Sequence, residues 1–469
     1  MAQINGADSK IVIMPEDTLK TVPVLTIHDC EAAWDELVDA DATVTADTSV
    51  YKRGTKSAKF VIADGMSAGD IIATDNFTAK DLSGYTYVQL WVYSSVALDA
   101  GDIQLLLDNT AQCASPIETL DIPAITATNT WTCCTIALAA AVSDTAIVSV
   151  GAKFTVDKGA CTIYFDNIRA LNTRGQLIPF NTATLGMTME LEESNAIASG
   201  RQPLMPTGGT IGGTGNITVE LNPFHTSFLK HVFGSCTTTN PGAYYQHVFK
   251  IDSLPTGLAI EVQHTVGLLY KVYHCKINSF KLTQNATGKV MCDFGVEVAS
   301  EEAFTTYTSL DEDPINNGHA PFSAKFGAFY EGGSLASGTC TNMSITLNND
   351  ITGEPTIGSA GVKDSLAEGR AKVDFSIETL FKDSAIFTKA QNETESSLKL
   401  ENMNGTGAGT AGNEKITIEM DEVKYALPQQ NIDGPRGMKL MFSGIAYYND
   451  DSDANALTVT VLNSQTAIV

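Results

Sequence analysis

Short runs in which apolar and polar residues alternate recur along almost the whole chain, among them YKRGTKSAKFVI at 51–62, DLSGYTYVQLWVYSS at 81–95, NITVEL at 216–221 and KVDFSIETL at 372–380. A period of two sends successive side chains to opposite faces of a strand, so each run predicts a half-buried strand and the Gly-containing polar segments between them predict turns. Helix is scarce. The best candidates are PFHTSFLKHVFG at 223–234, with Phe224, Phe228, Leu229 and Val232 on one face, and ETLFKDSAIFTKA at 378–390. The fold class expected is all-β.

The texture of these runs changes along the chain. KIVIM at 10–14 is a short strand followed by a turn-rich exit, and residues 25–171 then read as a self-contained jelly-roll β-sandwich inserted at that point. Beyond Leu171 the strands lengthen and a weak duplication emerges. TATLGMTMELEES at 182–194 matches TCTNMSITLNNDI at 339–351, each followed by a second strand, a short helix and a final strand pair. The division expected is 1–24 as the opening strand of a first sandwich unit, 25–171 as the insert, 172–306 as the rest of that unit and 307–469 as a second unit. DEDPINNGHAP, at 311–321, reads as an exposed linker between the two units, and the Gly-rich TGGTIGGTGN at 207–216 as a mobile arm.

Composition narrows the function. The 469 residues hold 29 Lys+Arg against 54 Asp+Glu, a formal charge of -25, which argues against a surface that grips nucleic acid by neutralising phosphates. The nine cysteines include no CxxC pair and read as reduced, buried residues. Asp8 interrupts any secretion signal, so synthesis in a reducing cytoplasm is expected, and no segment is apolar enough to be read as a membrane span. No GxSxG, HExxH, P-loop or zinc spacing occurs, and the histidines lack ligand spacing. GAGTAG at 407–412 satisfies GxGxxG but runs into a strand, so it reads as a hairpin loop. An enzyme is not expected, and no cofactor is implied beyond a structural calcium ion.

The insert is similar to carbohydrate-binding jelly-roll modules. The likeness lies in Asp29, Glu31 and Trp34 near its start, GTKSAKF, DLSGYTYVQLWVY and FDNIRAL at its end. That resemblance implies calcium ligands at Asp29, Glu31 and Asp166, in keeping with a hard cation's need for several oxygens, and makes a glycan a candidate ligand. Of the aromatic residues Trp34, Trp91, Tyr85, Tyr87 and Trp131, Tyr87 and Trp91 are expected in the core.

The remaining chain resembles the tail tube family of long-tailed bacteriophages, through SKIVIMPEDTLKTVP at 9–23, GTIGGTGNITVEL at 209–221 and FSGIAYYNDDSDANALTVTVLN at 442–463. The resemblance implies a virion tail protein made in the bacterial host, with rings that stack through the N-terminal segment and the long loop. Each ring would hold three copies in a pseudo-hexameric arrangement, bind other tail proteins and enclose a channel that DNA traverses without specific binding. The insert is expected to be dispensable for assembly. Val219, Phe294, Phe375 and Phe442 alternate with polar neighbours, which makes Glu220, Asp293, Glu297, Asp374 and Glu378 the lumen-facing candidates. The rival reading is a carbohydrate-binding or adhesive surface protein that acts through the jelly roll.

Overall fold

The computed structural model describes residues 9–17, 22, 24–139, 141–196, 204–265, 268–305, 310–336, 339–359, 362–381, 384–429, 438–448, 455–466 and 468. Residues 1–8, 18–21, 23 and 449–454, which carry part of the sequence resemblance, lie outside the described set. The fold is all-β, with two short α-helices among the described residues. One compact unit comprises residues 22–175 and 306–315, and the other comprises 1–21, 176–305 and 316–469.

The smaller unit is a sandwich of a six-stranded and a five-stranded sheet. Trp34, Phe60 and Phe165 are fully buried between the sheets and meet edge to face at centroid distances of 5.2 to 5.8 Å, the arrangement that ring quadrupoles favour. Alternation along the strand Tyr87–Ser94 sends Val88, Leu90 and Val92 into this core. Tyr87, Gln89, Trp91 and Tyr93 therefore share the opposite face, and Tyr87 and Trp91 are only half-buried. This corrects their expected core placement, which counted apolar neighbours and overlooked the phase of the alternation.

Twelve strands and two helices define the larger unit's functional parts: β1 (Lys10–Pro15), β2 (Thr182–Thr184), β3 (Met187–Glu192), β4 (Thr207–Glu220), α1 (Thr226–Phe233), β5 (Leu268–Asn285), β6 (Met291–Thr305), β7 (Cys340–Asn348), β8 (Thr352–Pro355), β9 (Lys363–Ala367), β10 (Lys372–Leu380), α2 (Ala385–Gln391), β11 (Lys415–Tyr425) and β12 (Lys439–Ala446). All these strands except the β8–β9 hairpin belong to one 18-stranded sheet. One apolar core runs through the unit, from Ile11 and Ile13 through Phe280 and Phe294 to Phe375 and Phe442, with α1 laid on it so that Phe228 stacks on Phe294 at 4.7 Å.

β1 pairs with both Gln176–Ile178 and Leu258–Thr265, and Ile11, Ile13 and Met14 are fully buried, so Lys10–Pro15 is an internal strand of the sheet. Two expectations change here. The run TGGTIGGTGN is strand, not loop, within β4. Its glycines let the partner strand approach, since a Cβ at Gly215 would lie 2.0 Å from the Thr184 carbonyl oxygen. The supposedly exposed linker begins with buried residues, Leu310 and Asp311 at 2% exposure each. Its carboxylates find partners on the smaller unit's six-stranded sheet, described below.

Candidate functional site

The larger unit's two halves repeat one connectivity. In the first half β4 lies between β2/β3 and β6, with β5 beyond; in the second, β10 lies between β7 and β12, with β11 beyond. The halves join by antiparallel pairing of Ser279–Asn285 on β5 with Asn342–Asn348 on β7. A continuous sheet β4-β6-β5-β7-β10-β12 results, with the apolar core behind one face.

All five acidic candidates fall on the other face. One row across the strands reads Thr218, Asp293, Lys281, Thr346, Asp374 and Ile445. Glu220, Glu297 and Glu378 occupy further positions of the same phase, because Val219, Val296, Val298 and Ile377 beside them are buried. The charges are balanced locally, which sequence reasoning missed. Glu378 bonds Lys439 at 2.8 Å, Asp374 pairs with Lys372 at 2.9 Å, Glu297 with Lys363 at 3.1 Å and Glu220 with His319 at 3.1 Å. Asp293 accepts from the Thr218 hydroxyl at 2.6 Å and faces Lys281 in register. The Lys439 ammonium, with help from Thr341, holds the Glu378 carboxyl below its usual range. Exposed pairs of this kind contribute little stability, but they make the face mixed in charge rather than acidic.

The sheet has open ends. β2 and β3 are paired only with β4 among the described residues, and β3 exposes Met189 (55%) and Leu191 (63%). At the opposite end β11 is paired along Lys415–Val423 with the strand Ser396–Met403, so among the described residues only its edge beyond Val423 is open. On its other side Val423–Tyr425 pair with β12, and Ala426 extends that ladder by donating to the Ser443 carbonyl at 2.8 Å.

In the smaller unit the Glu31 charge acts on Asp166, yet Asp29, Glu31 and Asp166 each have their own partners. Asp29 Oδ1 accepts from the Glu31 amide at 3.2 Å, and the Glu31 carboxylate accepts from Thr55 N and Oγ1 at 2.7 and 2.6 Å. Asp166 Oδ2 accepts from the Lys52 and Arg53 amides at 2.6 and 2.8 Å, while its buried Oδ1 has no partner. Burial pushes the Asp166 carboxyl up to about 7, and Glu31 adds to the rise. No group of three or more His, Cys, Asp or Glu side chains among the described residues is disposed to hold a metal. An ion at this place would rest on Asp166 Oδ1 and the Glu31 carboxylate. The orphaned oxygen fits that chemistry.

The sheet face that carries Trp91 holds a second cluster that no sequence signal flagged. Asp311 accepts from Gln89 Nε2 at 2.8 Å and from the Gly175 amide at 2.7 Å, and Asp313 accepts from Thr135 Oγ1 at 2.9 Å and Arg174 Nη2 at 2.8 Å. Between them the Glu312 carboxylate, 1% exposed, accepts from Arg53 Nε, Trp91 Nε1 and Asn167 Nδ2. Residues 311–313 thus form a strap across the face. Beside it Tyr93 lies 5.5 Å from Trp131 and 5.1 Å from Tyr164.

A continuous β-sheet with one apolar and one mixed polar face, open at β2/β3 and along β11 beyond Val423, defines a protein whose functional surface is an extended sheet. The chain belongs to the phage tail tube protein family, whose model matches residues 135–446. It is therefore a structural component of a virion tail. No curated protein matches. Among solved structures, a family 30 carbohydrate-binding module is 14% identical (34% of this chain and 87% of that one, TM-score 0.22). A family 11 module of a Clostridium thermocellum cellulase is also 14% identical (33% and 96%, TM-score 0.23). A tandem family 22 module from Paenibacillus barcinonensis is 11% identical (63% and 99%, TM-score 0.22). Among the described residues no helix is long and apolar enough to cross a membrane.

Proposed function

We propose that this chain closes into rings of three copies that stack into a tail tube, with the mixed-charge face of β4-β6-β5-β7-β10-β12 turned toward a channel for DNA. The observation that supports this reading is the β5–β7 junction. It joins two like halves head to tail, so the first strand of one half meets the last strand of the other, and it leaves open edges of the same two kinds at β2/β3 and at the last residues of β11, beyond its pairing with Ser396–Met403. A head-to-tail contact that repeats generates a ring when the rotation closes, and pairing removes the exposed edges. On a lining where every acid has a nearby cation or hydroxyl, neither strong attraction nor strong repulsion holds the DNA. Glu220, Asp293, Glu297, Asp374 and Glu378 are the lumen residues in this reading, with Glu297 at the rim where Lys363 of the β8–β9 hairpin meets it, and the working protein needs no catalytic group. Negative-stain microscopy of the purified protein tests it: rings or tubes with three-fold mass are expected, and monomers at all concentrations would refute it.

A structural calcium ion at Glu31 and Asp166 accompanies this reading, supported by the unpartnered Asp166 oxygen. Asp29 is the outer member, its carboxylate engaged with the Glu31 amide. A glycan, the ligand of the rival reading, would have Tyr93 and Trp131 to stack on, since the strap covers Trp91. Binding of a soluble polysaccharide that survives Trp131→Ala would remove that site.

A further inference from the structure

The larger unit contains a cavity of about 710 Å³ lined by Arg370–Val373 at the start of β10, by Ile445 to Tyr448 at the end of β12, and by Ile251, Asn455 and Ala456. Its place in the second half corresponds to an occupied place in the first. The ladders give the equivalence: Gly213 pairs with Val298 and Ile217 with Phe294 across β4–β6, as Val373 pairs with Ala446 and Ile377 with Phe442 across β10–β12. The start of β10 and the end of β12 thus match the start of β4 and the end of β6.

In the first half that seat is filled by the β8–β9 hairpin, which belongs to the second half and follows directly on the strand that makes the junction. Val362 bridges to Ile211 on β4, Lys363 bonds Glu297 on β6 at 3.1 Å, and Leu366 and Ile351 pack with Ala299 of β6 and with Leu254. The counterpart of this hairpin in the first half is β3 with the start of β4, which likewise follows the strand at the sheet's open end. Among the described residues it reaches no such seat within its own chain. β3 carries Met189 and Leu191 exposed, with Glu190, Glu192 and Glu193 exposed beside them.

We propose that the cavity at Arg370–Val373 and Ile445–Tyr448 receives the β3–β4 hairpin of a second copy of this chain. The proposal rests on the ring reading above and names the surface that would lock neighbouring copies together. The chemistry is complementary. Ile445 is 48% and Tyr448 62% exposed, which offers apolar area to Met189 and Leu191. Arg370 and Lys372 offer cations to the hairpin's glutamates, although Lys372 also pairs with Asp374. The polarity is reversed from the junction inside the chain, where the hairpin brings the lysine and the seat brings the glutamate. Reversal would keep each hairpin out of the other's seat, because exchange would bring like charges together.

The test uses the full chain. Arg370→Glu with Lys372→Glu should raise the protein concentration needed for assembly at least tenfold. So should Glu190→Lys with Glu192→Lys, and all four together should restore assembly to near the original threshold. All four positions are exposed or line the cavity mouth, and circular dichroism checks that each variant folds. In parallel, Met189→Cys protein mixed with Tyr448→Cys protein should form a crosslinked dimer with a short bis-maleimide that neither gives alone. Assembly that proceeds without that crosslink, or unchanged thresholds in the reversal variants, would each overturn the proposal. Absence of any rings or tubes from the unsubstituted protein would instead bring down the ring reading and the proposal with it.

Discussion

Replacing Glu312 with alanine should destabilise the smaller unit by about 3 kcal/mol. The Glu312 carboxylate is 1% exposed and takes hydrogen bonds from Arg53, Trp91 and Asn167, whereas Arg53 retains 18% exposure. Removing one partner of a buried ion pair costs about 3–5 kcal/mol, because the other charge stays behind without compensation, and the residual access of Arg53 to water places this case at the lower end. Glu312→Gln keeps the acceptor oxygen and the volume, so its cost should be about half as large. For a domain of this size each kcal/mol moves the midpoint by about 2–4 °C, so alanine should lower the unit's transition by roughly 6–12 °C in scanning calorimetry. Proteolysis near residues 306–316 should quicken in step. A double-mutant cycle with Arg53→Ala then isolates the pair, with a coupling above about 1 kcal/mol expected. Shifts under about 0.5 kcal/mol for Glu312→Ala, or no coupling to Arg53, would show that the strap merely lies on the sheet.

The strap also reverses an expectation from the sequence: deleting 26–170 while keeping 306–315 should yield aggregated or poorly assembling protein, since Asp311, Glu312 and Asp313 lose their partners, and tubes of normal yield by electron microscopy would contradict this. Calcium should raise the smaller unit's midpoint in the unsubstituted protein but not in Asp166→Asn. Without calcium the raised Asp166 pKa means stability is gained as pH falls from about 7 toward 3.8, so Asp166→Asn should be neutral or stabilising by about 1–3 kcal/mol at pH 8, and equal calcium responses in a melting assay would dismiss the ion. Burial lowers His225 to about 3 and His231 to about 4 from 6.5, so their contribution is full above pH 6.5 and is lost as pH falls toward those values, about 2 kcal/mol for each at pH 5. Replacing both with glutamine should flatten the acid limb of the larger unit's denaturant midpoint between pH 6.5 and 4.5, and an unaltered slope would count against neutral buried histidines.

Much of this fold was legible because strand alternation is a local property. The phase that buries Val219, Phe294, Phe375 and Phe442 also sets Glu220, Asp293, Asp374 and Glu378 on the opposite face, and period two needs no knowledge of the partner strand. The same rule, applied to Tyr87–Ser94 with attention to phase, would have placed Trp91 outside the core. The Gly-rich start of β4 misled for a different reason. Glycine weakens an isolated strand, but here Thr184 and Val298 approach too closely for any side chain at Gly215 and Gly213, and that approach exists only once the sheet has formed.

The electrostatics were the least legible part, and the reason is sequence separation. Glu378 meets Lys439 across 61 residues, Glu297 meets Lys363 across 66, and Glu312 meets Arg53 across 259. A net charge of -25 says nothing about such pairings, so an acidic chain can still build a face on which nearly every carboxylate is matched. The strap shows the stronger form of this effect. DEDP carries Pro and three acids, a composition that favours solvent when read alone. Its burial follows from an Arg, a Trp and an Asn that the insert's own strands and loops hold at hydrogen-bond distance, so the polar residues of a supposed linker become its anchor once those partners are in place.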